Sequence, residues 1–160
     1  MRYTSRQYAT RLFFFLANPL RHAYWFVCRP TTRGAKCLIE YEGKFLFVRL
    51  NYAHYGWSIP GGGVKKQETF EQAAKREALE EVGLVVDEVV FLGEYLNTHQ
   101  YKIDTVQVFH CRAKSAYFKV DNFEIAEAAW LTPDKLPSNH SPSVRRILRM
   151  HREKTTPANA

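Results

Sequence analysis

Three glutamates stand close together near the end of one predicted helix. Glu77, Glu80 and Glu81 are three and four residues apart, so a helix places them within about 100° of arc on one face. Negative charges at the C-terminal end of a helix oppose its dipole by about 0.3 to 1 kcal/mol each, and they repel one another. A bound cation removes that cost, and clustered carboxylates favour Mg²⁺ or Mn²⁺ over zinc. For the three glutamates alone, a solvated acidic helix end is the alternative interpretation.

The helix that carries these glutamates has marked ends. We predict it over residues 69–82. Thr69 and Gln72 match the capping box at its start. Gly83 is placed to adopt the left-handed conformation that closes a helix. The glutamates therefore have a defined element to position them.

A run of glycines precedes the helix. Residues 60–63 read Pro-Gly-Gly-Gly, and glycines permit the backbone to approach a ligand or a metal closely. We expect Glu68 and Arg76 to form an ion pair between this turn and the helix. This context favours a ligand site over a solvated helix end.

The segment from Gly62 to Leu84 resembles the Nudix box, G-x5-E-x7-R-E-U-x-E-E-x-G-U, in which U is a bulky aliphatic residue. Every specified position is met, and Ala78 is a soft match at the first U. Residues 57–62 also resemble the family's usual approach to the box. The family often has an acidic residue and a glycine where this chain has Lys65 and Gln67.

The resemblance implies an α/β fold, a Nudix-type α/β/α sandwich around a mixed β-sheet, here with an extra N-terminal helical segment. It also implies hydrolysis of a diphosphate linkage in a nucleoside diphosphate derivative, with Mg²⁺ or alternatively Mn²⁺ as cofactor. The implied metal ligands are the Gly62 carbonyl, Glu77, Glu80 and Glu81. The implied supporting ion pair joins Glu68 and Arg76.

The general base varies within the family. The resemblance implies that the base is Glu77, Glu80 or a glutamate on a later loop. Glu124 is our candidate for that loop glutamate, and Glu127 is its substitute. An exposed loop acid without a catalytic role is the alternative interpretation of Glu124. The catalytic prediction therefore comprises Glu77, Glu80 and Glu124.

The residues that would bind substrate are less constrained. Tyr101 lies close to the position of a tyrosine associated in this family with dinucleoside polyphosphate hydrolases. Tyr55 is a candidate to stack on a base, and Arg49 to meet a phosphate, with core or surface roles as the alternatives. Nucleoside di- or triphosphates, sugar-linked nucleotides, dinucleoside polyphosphates and RNA ends all stay open as substrates.

Composition indicates one domain with a real core. The chain has 160 residues, 46% of them hydrophobic, which leaves no room for two separate cores. Its net charge of +7 favours polyanionic partners, or serves solubility alone. Three cysteines without paired spacing predict neither a disulfide framework nor a zinc site, and a reducing cytoplasm fits best. The six histidines show no ligand spacing either.

The remaining elements follow from changes of hydrophobic period. Residues 1–32 read as an N-terminal helical extension packed on the domain, with two helices separated at Asn18-Pro19. Residues 33–154 form the Nudix-like domain, and 155–160 a frayed tail. Strands are predicted at 35–41, 44–50, 85–96, 105–113 and 126–131, a turn at 132–134 and a helix at 143–153.

Two further classes of function stay open on the sequence alone. A non-catalytic nucleotide-sensing or RNA-binding module on the same fold is one alternative. A membrane-associating protein that uses the basic, aromatic N-terminal helices is another, although packing of those helices on the domain is the simpler interpretation. We predict no integral membrane contact, and a homodimer is possible.

Overall fold

Five strands and three helices make up the described part of the chain. The computed structural model describes residues 17, 19–51, 56–98, 101–121 and 123–155. A single 3₁₀ turn at Pro133–Lys135 follows the last strand. In chain order the elements are α1 (19–28), β1 (Thr31–Tyr41), β2 (Lys44–Leu50), α2 (Phe70–Val82), β3 (Val86–Asn97), β4 (Ile103–Ala113), β5 (Ile125–Leu131) and α3 (Pro142–Thr155).

The strands form one mixed sheet in the order β3-β4-β1-β2-β5. Strands β1 and β4 run parallel, and the other neighbours are antiparallel. The β1–β2 hairpin turns at Glu42 and Gly43, both with positive φ, as the right-handed twist of the strands favours. The parallel β1–β4 pair lies inside the sheet, so each of these two strands is paired on both sides.

The two faces of the sheet are covered by different helices. Because successive side chains of a strand point to opposite faces, Ala35, Cys37 and Ile39 share one core cluster with α2. Leu38 belongs to a second cluster with α3. The molecule is therefore an α/β/α sandwich around a mixed sheet, which confirms the predicted fold class.

The predicted elements are present, with shifted ends. Strand β1 begins at Thr31, four residues earlier than predicted, because Thr31 pairs with Ile103 at the start of β4. Because the two paired residues are far apart in the chain, the hydrophobic pattern around Thr31 does not indicate the pairing. The second N-terminal helix corresponds to α1, whereas the first lies outside the described residues. Among the described helices, none is both long and apolar enough to cross a bilayer. The division into extension, domain and tail stays a prediction.

Candidate active site

Helix α2 carries the glutamates, and its capping interactions fix where it begins and ends. Thr69 Oγ1 accepts from the N–H of Gln72 at 3.1 Å, and the Thr69 N–H donates to Gln72 Oε1 at 2.8 Å. At the other end Gly83 has φ 66°, and its N–H donates to the Leu79 carbonyl at 3.0 Å. The predicted capping box and left-handed cap are both present.

The guanidinium of Arg76 joins the glycine turn to the helix. Its Nε and Nη2 donate to the two carboxylate oxygens of Glu68 at 2.8 and 3.0 Å, a bidentate pair. Its Nη1 donates to Glu77 Oε1 at 2.6 Å and to Glu80 Oε2 at 2.8 Å. Its Nη2 also donates to the Gly63 carbonyl at 2.8 Å. One cation therefore orients three carboxylates and the turn.

The same contacts keep the acids charged. The hydrogen bond from Arg76 is the largest reason that the pKa of Glu68 falls to about 2. Arg76 likewise lowers the pKa of Glu80, which is half exposed. The carboxylates in turn raise the pKa of Arg76, with Glu68 contributing most. Glu68 and Glu80 are therefore ionised at neutral pH.

The glycine turn approaches its neighbours too closely for side chains. A Cβ at Gly62 would lie 2.5 Å from Glu77 Oε1, and one at Gly61 would clash with the Ala35 carbonyl oxygen. The N–H of Gly61 donates to Glu81 Oε2 at 2.9 Å. The backbone thus contacts two carboxylates of α2 directly.

The turn between this backbone and the helix departs from the family pattern at Gln67. Its φ is 68°, in the left-handed region that costs a residue with a side chain about 1 kcal/mol or more. The turn is closed by the Lys65 N–H, which donates to Glu68 Oε2 at 2.9 Å. The family's frequent glycine at this position would remove the strain.

Lys36 is a charged residue of the site that the sequence analysis missed. It is half-buried on β1, and its Nζ donates to the carbonyl oxygens of Ile59 at 2.8 Å and Gly61 at 3.2 Å. Burial lowers its pKa, while Glu81 and Glu77 oppose that shift. The available signal was a cation inside the otherwise apolar run of residues 35–39.

The same contacts distinguish two carbonyl groups. The predicted ligand carbonyl of Gly62 accepts from the Ala35 N–H at 2.9 Å in the sheet. The Gly61 carbonyl accepts from the Lys36 ammonium instead. Because that hydrogen bond is long, at 3.2 Å, and comes from a flexible side chain, the Gly61 oxygen is a second candidate ligand.

Glu81 has the most perturbed carboxylate of the cluster. It is 7% exposed, and burial is the main reason that its pKa rises to about 7. Lys36 and the Gly61 N–H pull that pKa down, whereas the charges of Glu77 and Glu124 push it up. A buried acid surrounded by other acids favours protonation or a bound cation.

Glu124 reaches the site from a separate segment. The Asp121 N–H donates to the Glu81 carbonyl at 2.9 Å, which ties the segment to the end of α2. The Asn51 N–H donates to the Glu124 carbonyl at 2.8 Å. Since its charge acts on Glu81, Glu124 lies within electrostatic range of the cluster.

The predicted substrate residues are placed less tightly. Arg49 Nη2 forms an ion pair with Glu127 Oε2 at 2.8 Å. Arg49 is therefore already paired, and its partner is the residue predicted as the substitute for the loop base. Tyr101 is exposed beside α1, with its ring centroid 5.0 Å from that of Phe26. Tyr55 lies outside the described residues.

The donors gathered here suit a hard divalent cation. Glu77, Glu80, Glu81 and Glu124 offer carboxylate oxygens, and Gly61 or Gly62 offers a carbonyl. Such oxygen donors are the ligands that Mg²⁺ and Mn²⁺ prefer. The residues therefore fit the predicted metal.

Comparison with known proteins agrees with this arrangement. The NUDIX domain family model matches residues 30–150, most of the chain. The chain belongs to the Nudix family. Over 103 residues this Nudix domain is 31% identical to a MutT-like protein of Streptomyces ambofaciens, covering 64% of each chain.

Other Nudix relatives are matched over shorter stretches or by fold. An RNA pyrophosphohydrolase of Serratia proteamaculans is 40% identical over 62 residues, 39% of this chain and 35% of that one. The chain thus spans about a third of that relative and less than two thirds of the MutT-like protein. The crystal structure of a MutT NUDIX hydrolase from Burkholderia pseudomallei superposes with a TM-score of 0.68 at 24% identity, covering 75% of this chain and 97% of that one. That likeness supports the fold.

We predict that Gly62→Ala weakens metal binding with little loss of stability. The new Cβ displaces the carboxylate of Glu77, a flexible side-chain end, rather than backbone. A shift of this kind should lower Mn²⁺ affinity about tenfold or more, measured by calorimetry. Gly63→Ala is the matched control, because a Cβ there meets nothing within 4 Å. Equal affinities for the two variants would contradict the prediction.

We predict that Glu81→Gln stabilises the metal-free protein at high pH. The ordinary pKa of 4.5 rises to about 7 on folding, so as pH rises through this range the unfolded chain releases a proton that the folded chain retains. The resulting loss of stability is complete above about pH 7 and amounts to about 3 kcal/mol.

Glutamine keeps an acceptor for the Gly61 N–H, and because it does not ionise it brings no loss of stability as pH rises. In chelator, denaturant unfolding should therefore show Glu81→Gln to be more stable than wild type near about pH 8, with a much smaller difference near about pH 5. Glu80→Gln is the exposed control. A less stable Glu81→Gln protein at high pH would show that the ionised form is favoured in the fold.

Proposed function

We propose that this protein hydrolyses a diphosphate linkage in a nucleoside diphosphate derivative, using a divalent metal ion held at the end of α2. The observation that carries the proposal is the convergence of three glutamates on the glycine turn, Glu77 and Glu80 through Arg76 and Glu81 through the Gly61 N–H. Membership of the Nudix family and relatives named RNA pyrophosphohydrolase support the same reaction class.

The metal ligands in this proposal are the three glutamates and one glycine carbonyl. The sequence favours Gly62, and the contact with Lys36 adds Gly61 as an alternative. A bound Mg²⁺ or Mn²⁺ would neutralise diphosphate charge and lower the pKa of an attacking water. Glu68 and Arg76 position the carboxylates, and Lys36 offsets their charge from the sheet side.

The residue that accepts the proton from water is proposed to be Glu77, Glu80 or Glu124. Glu80 is held ionised by Arg76, and Glu77 is held by the same guanidinium. Glu124 comes from another segment and is half-buried, and its charge acts on Glu81. A base must be ionised and within hydrogen-bond reach of the attacking water.

An RNA 5′ end is the second candidate substrate, beside a nucleotide-derived small molecule. The relatives named RNA pyrophosphohydrolase favour it, and so does the excess of positive charge. Arg49, Tyr55 and Tyr101 stay our predicted substrate contacts. A non-catalytic nucleotide-sensing or RNA-binding module is the alternative, although it gives no reason to retain all of the box glutamates.

Location and assembly are also proposals. We infer a reducing cytoplasm, since Cys28, Cys37 and Cys111 are free thiols in the structure. A homodimer and the absence of integral membrane contact stay predictions.

The proposed reaction predicts metal-dependent release of a phosphorylated product, either pyrophosphate or a nucleoside phosphate, from at least one member of a substrate panel. The panel should include nucleoside triphosphates, sugar-linked and dinucleoside forms, and 5′-triphosphorylated RNA, each with Mg²⁺ and Mn²⁺. Glu80→Gln should lower turnover about 100-fold, as expected when a charged group of the site is removed.

Glu71→Gln is the matched control for this experiment. Glu71 lies on the same helix but pairs with Lys75 at 2.6 Å, away from the cluster, so its turnover should equal that of wild type. Nucleotide binding without release across the panel would favour the sensor. Equal turnover of Glu80→Gln and wild type would contradict the assigned site.

A further inference from the structure

A second group of metal-binding side chains lies on the α3 face of the sheet. Glu40 is on β1, His110 on β4 and His151 on α3. Glu40 is four residues beyond Lys36, about 13 Å further along the strand. The group is therefore separate from the carboxylates of α2, and spacing along the chain did not indicate it.

The three side chains converge on a small volume. His110 Nε2 lies 2.7 Å from Glu40 Oε2, and the rings of His110 and His151 have centroids 4.7 Å apart. One ligand atom from each residue falls within 4.8 Å of the other two. Ligand atoms of a tetrahedral ion with metal–nitrogen distances of about 2.0 to 2.1 Å lie about 3.4 Å apart, so a small shift of these side chains would bring the three atoms to a single ion.

His151 supplies the observation that points to a ligand. Within the described parts of the chain, its Nε2 is buried and has no hydrogen-bond partner. Burial lowers the pKa of the ring, followed by the effect of His110. A neutral imidazole with an unpartnered nitrogen is the form that binds metal ions. Leaving such an atom buried and unpaired otherwise costs stability.

The surroundings hold these rings in place. The ring of Phe45 lies edge-on to both histidines, with centroid distances of 5.1 Å to His151 and 6.5 Å to His110. Each candidate ligand is also carried by a strand or helix rather than a loop. Sites of this kind are already organised before a ligand binds.

We propose that Glu40, His110 and His151 form a binding site for a divalent transition-metal ion of the Zn²⁺ class. Two imidazoles and one carboxylate favour Zn²⁺ over Mg²⁺, which prefers oxygen ligands alone. Such an ion would link α3 to the central strands, and its expected effect is on stability rather than on hydrolysis.

A pocket of about 410 Å³ adjoins the group at His151. Its wall includes His151 and Phe45. Its rim carries the exposed arginines Arg145, Arg149 and Arg152. These charges oppose a cation, but exposed guanidinium groups are screened at physiological ionic strength.

The test uses the full chain with Mg²⁺ in excess, so that the carboxylate site is filled. Zn²⁺ affinity is measured by competition with a chromogenic chelator, and the thermal midpoint is recorded with and without Zn²⁺. We expect His151→Phe to weaken Zn²⁺ binding by about tenfold or more and to abolish the thermal shift. Phenylalanine preserves the ring packing and removes the unpaired nitrogen, so the metal-free variant should stay folded.

Two further variants make the result specific. Glu40→Gln should weaken Zn²⁺ binding as well, whereas His22→Phe, which changes a histidine of α1, should not. Unchanged affinity in His151→Phe would overturn the proposal, as would Zn²⁺ binding that is lost in Glu80→Gln but retained in His151→Phe. Mg²⁺-dependent hydrolysis by His151→Phe should equal that of wild type.

Discussion

The bidentate ion pair between Arg76 and Glu68 is the interaction on which the site geometry depends. The guanidinium of Arg76 also contacts Glu77, Glu80 and the Gly63 carbonyl, so loss of Arg76 would release several groups at once. Like charges on one helix face repel, and a half-buried cation offsets that repulsion where water screens it less. The helix can therefore present several carboxylates together before any metal binds.

Close backbone packing supplies the second constraint. The glycine turn contacts the carboxylates of Glu77 and Glu81 directly, which a side chain at Gly62 would prevent. From the sheet side Lys36 offsets part of the negative charge, yet Glu81 stays hard to ionise. The metal-free fold thus carries an electrostatic cost at its candidate active site, as functional sites commonly do.

The sequence was informative where short-range chemistry decides the structure. The capping box, the left-handed Gly83 and the helical spacing of the glutamates are local, and the structure has all three. Lys36 was not predicted as a site residue because the carbonyl groups that it contacts lie about 25 residues away, in the turn. The meeting of Glu40 with His110 and His151 depends on strand pairing and on the docking of α3, which leave no periodic signal. Glu124 was proposed from the resemblance, since nothing in its neighbours marks it.

The most direct test of this account is the Mn²⁺ affinity of Arg76→Lys, measured by electron paramagnetic resonance. Lysine retains the positive charge but lacks the planar fork that holds several carboxylates at once. We predict affinity about tenfold or more below that of wild type, with the fold retained by circular dichroism. Wild-type affinity in Arg76→Lys would contradict the claim, because it would show that one positive charge suffices without the guanidinium geometry.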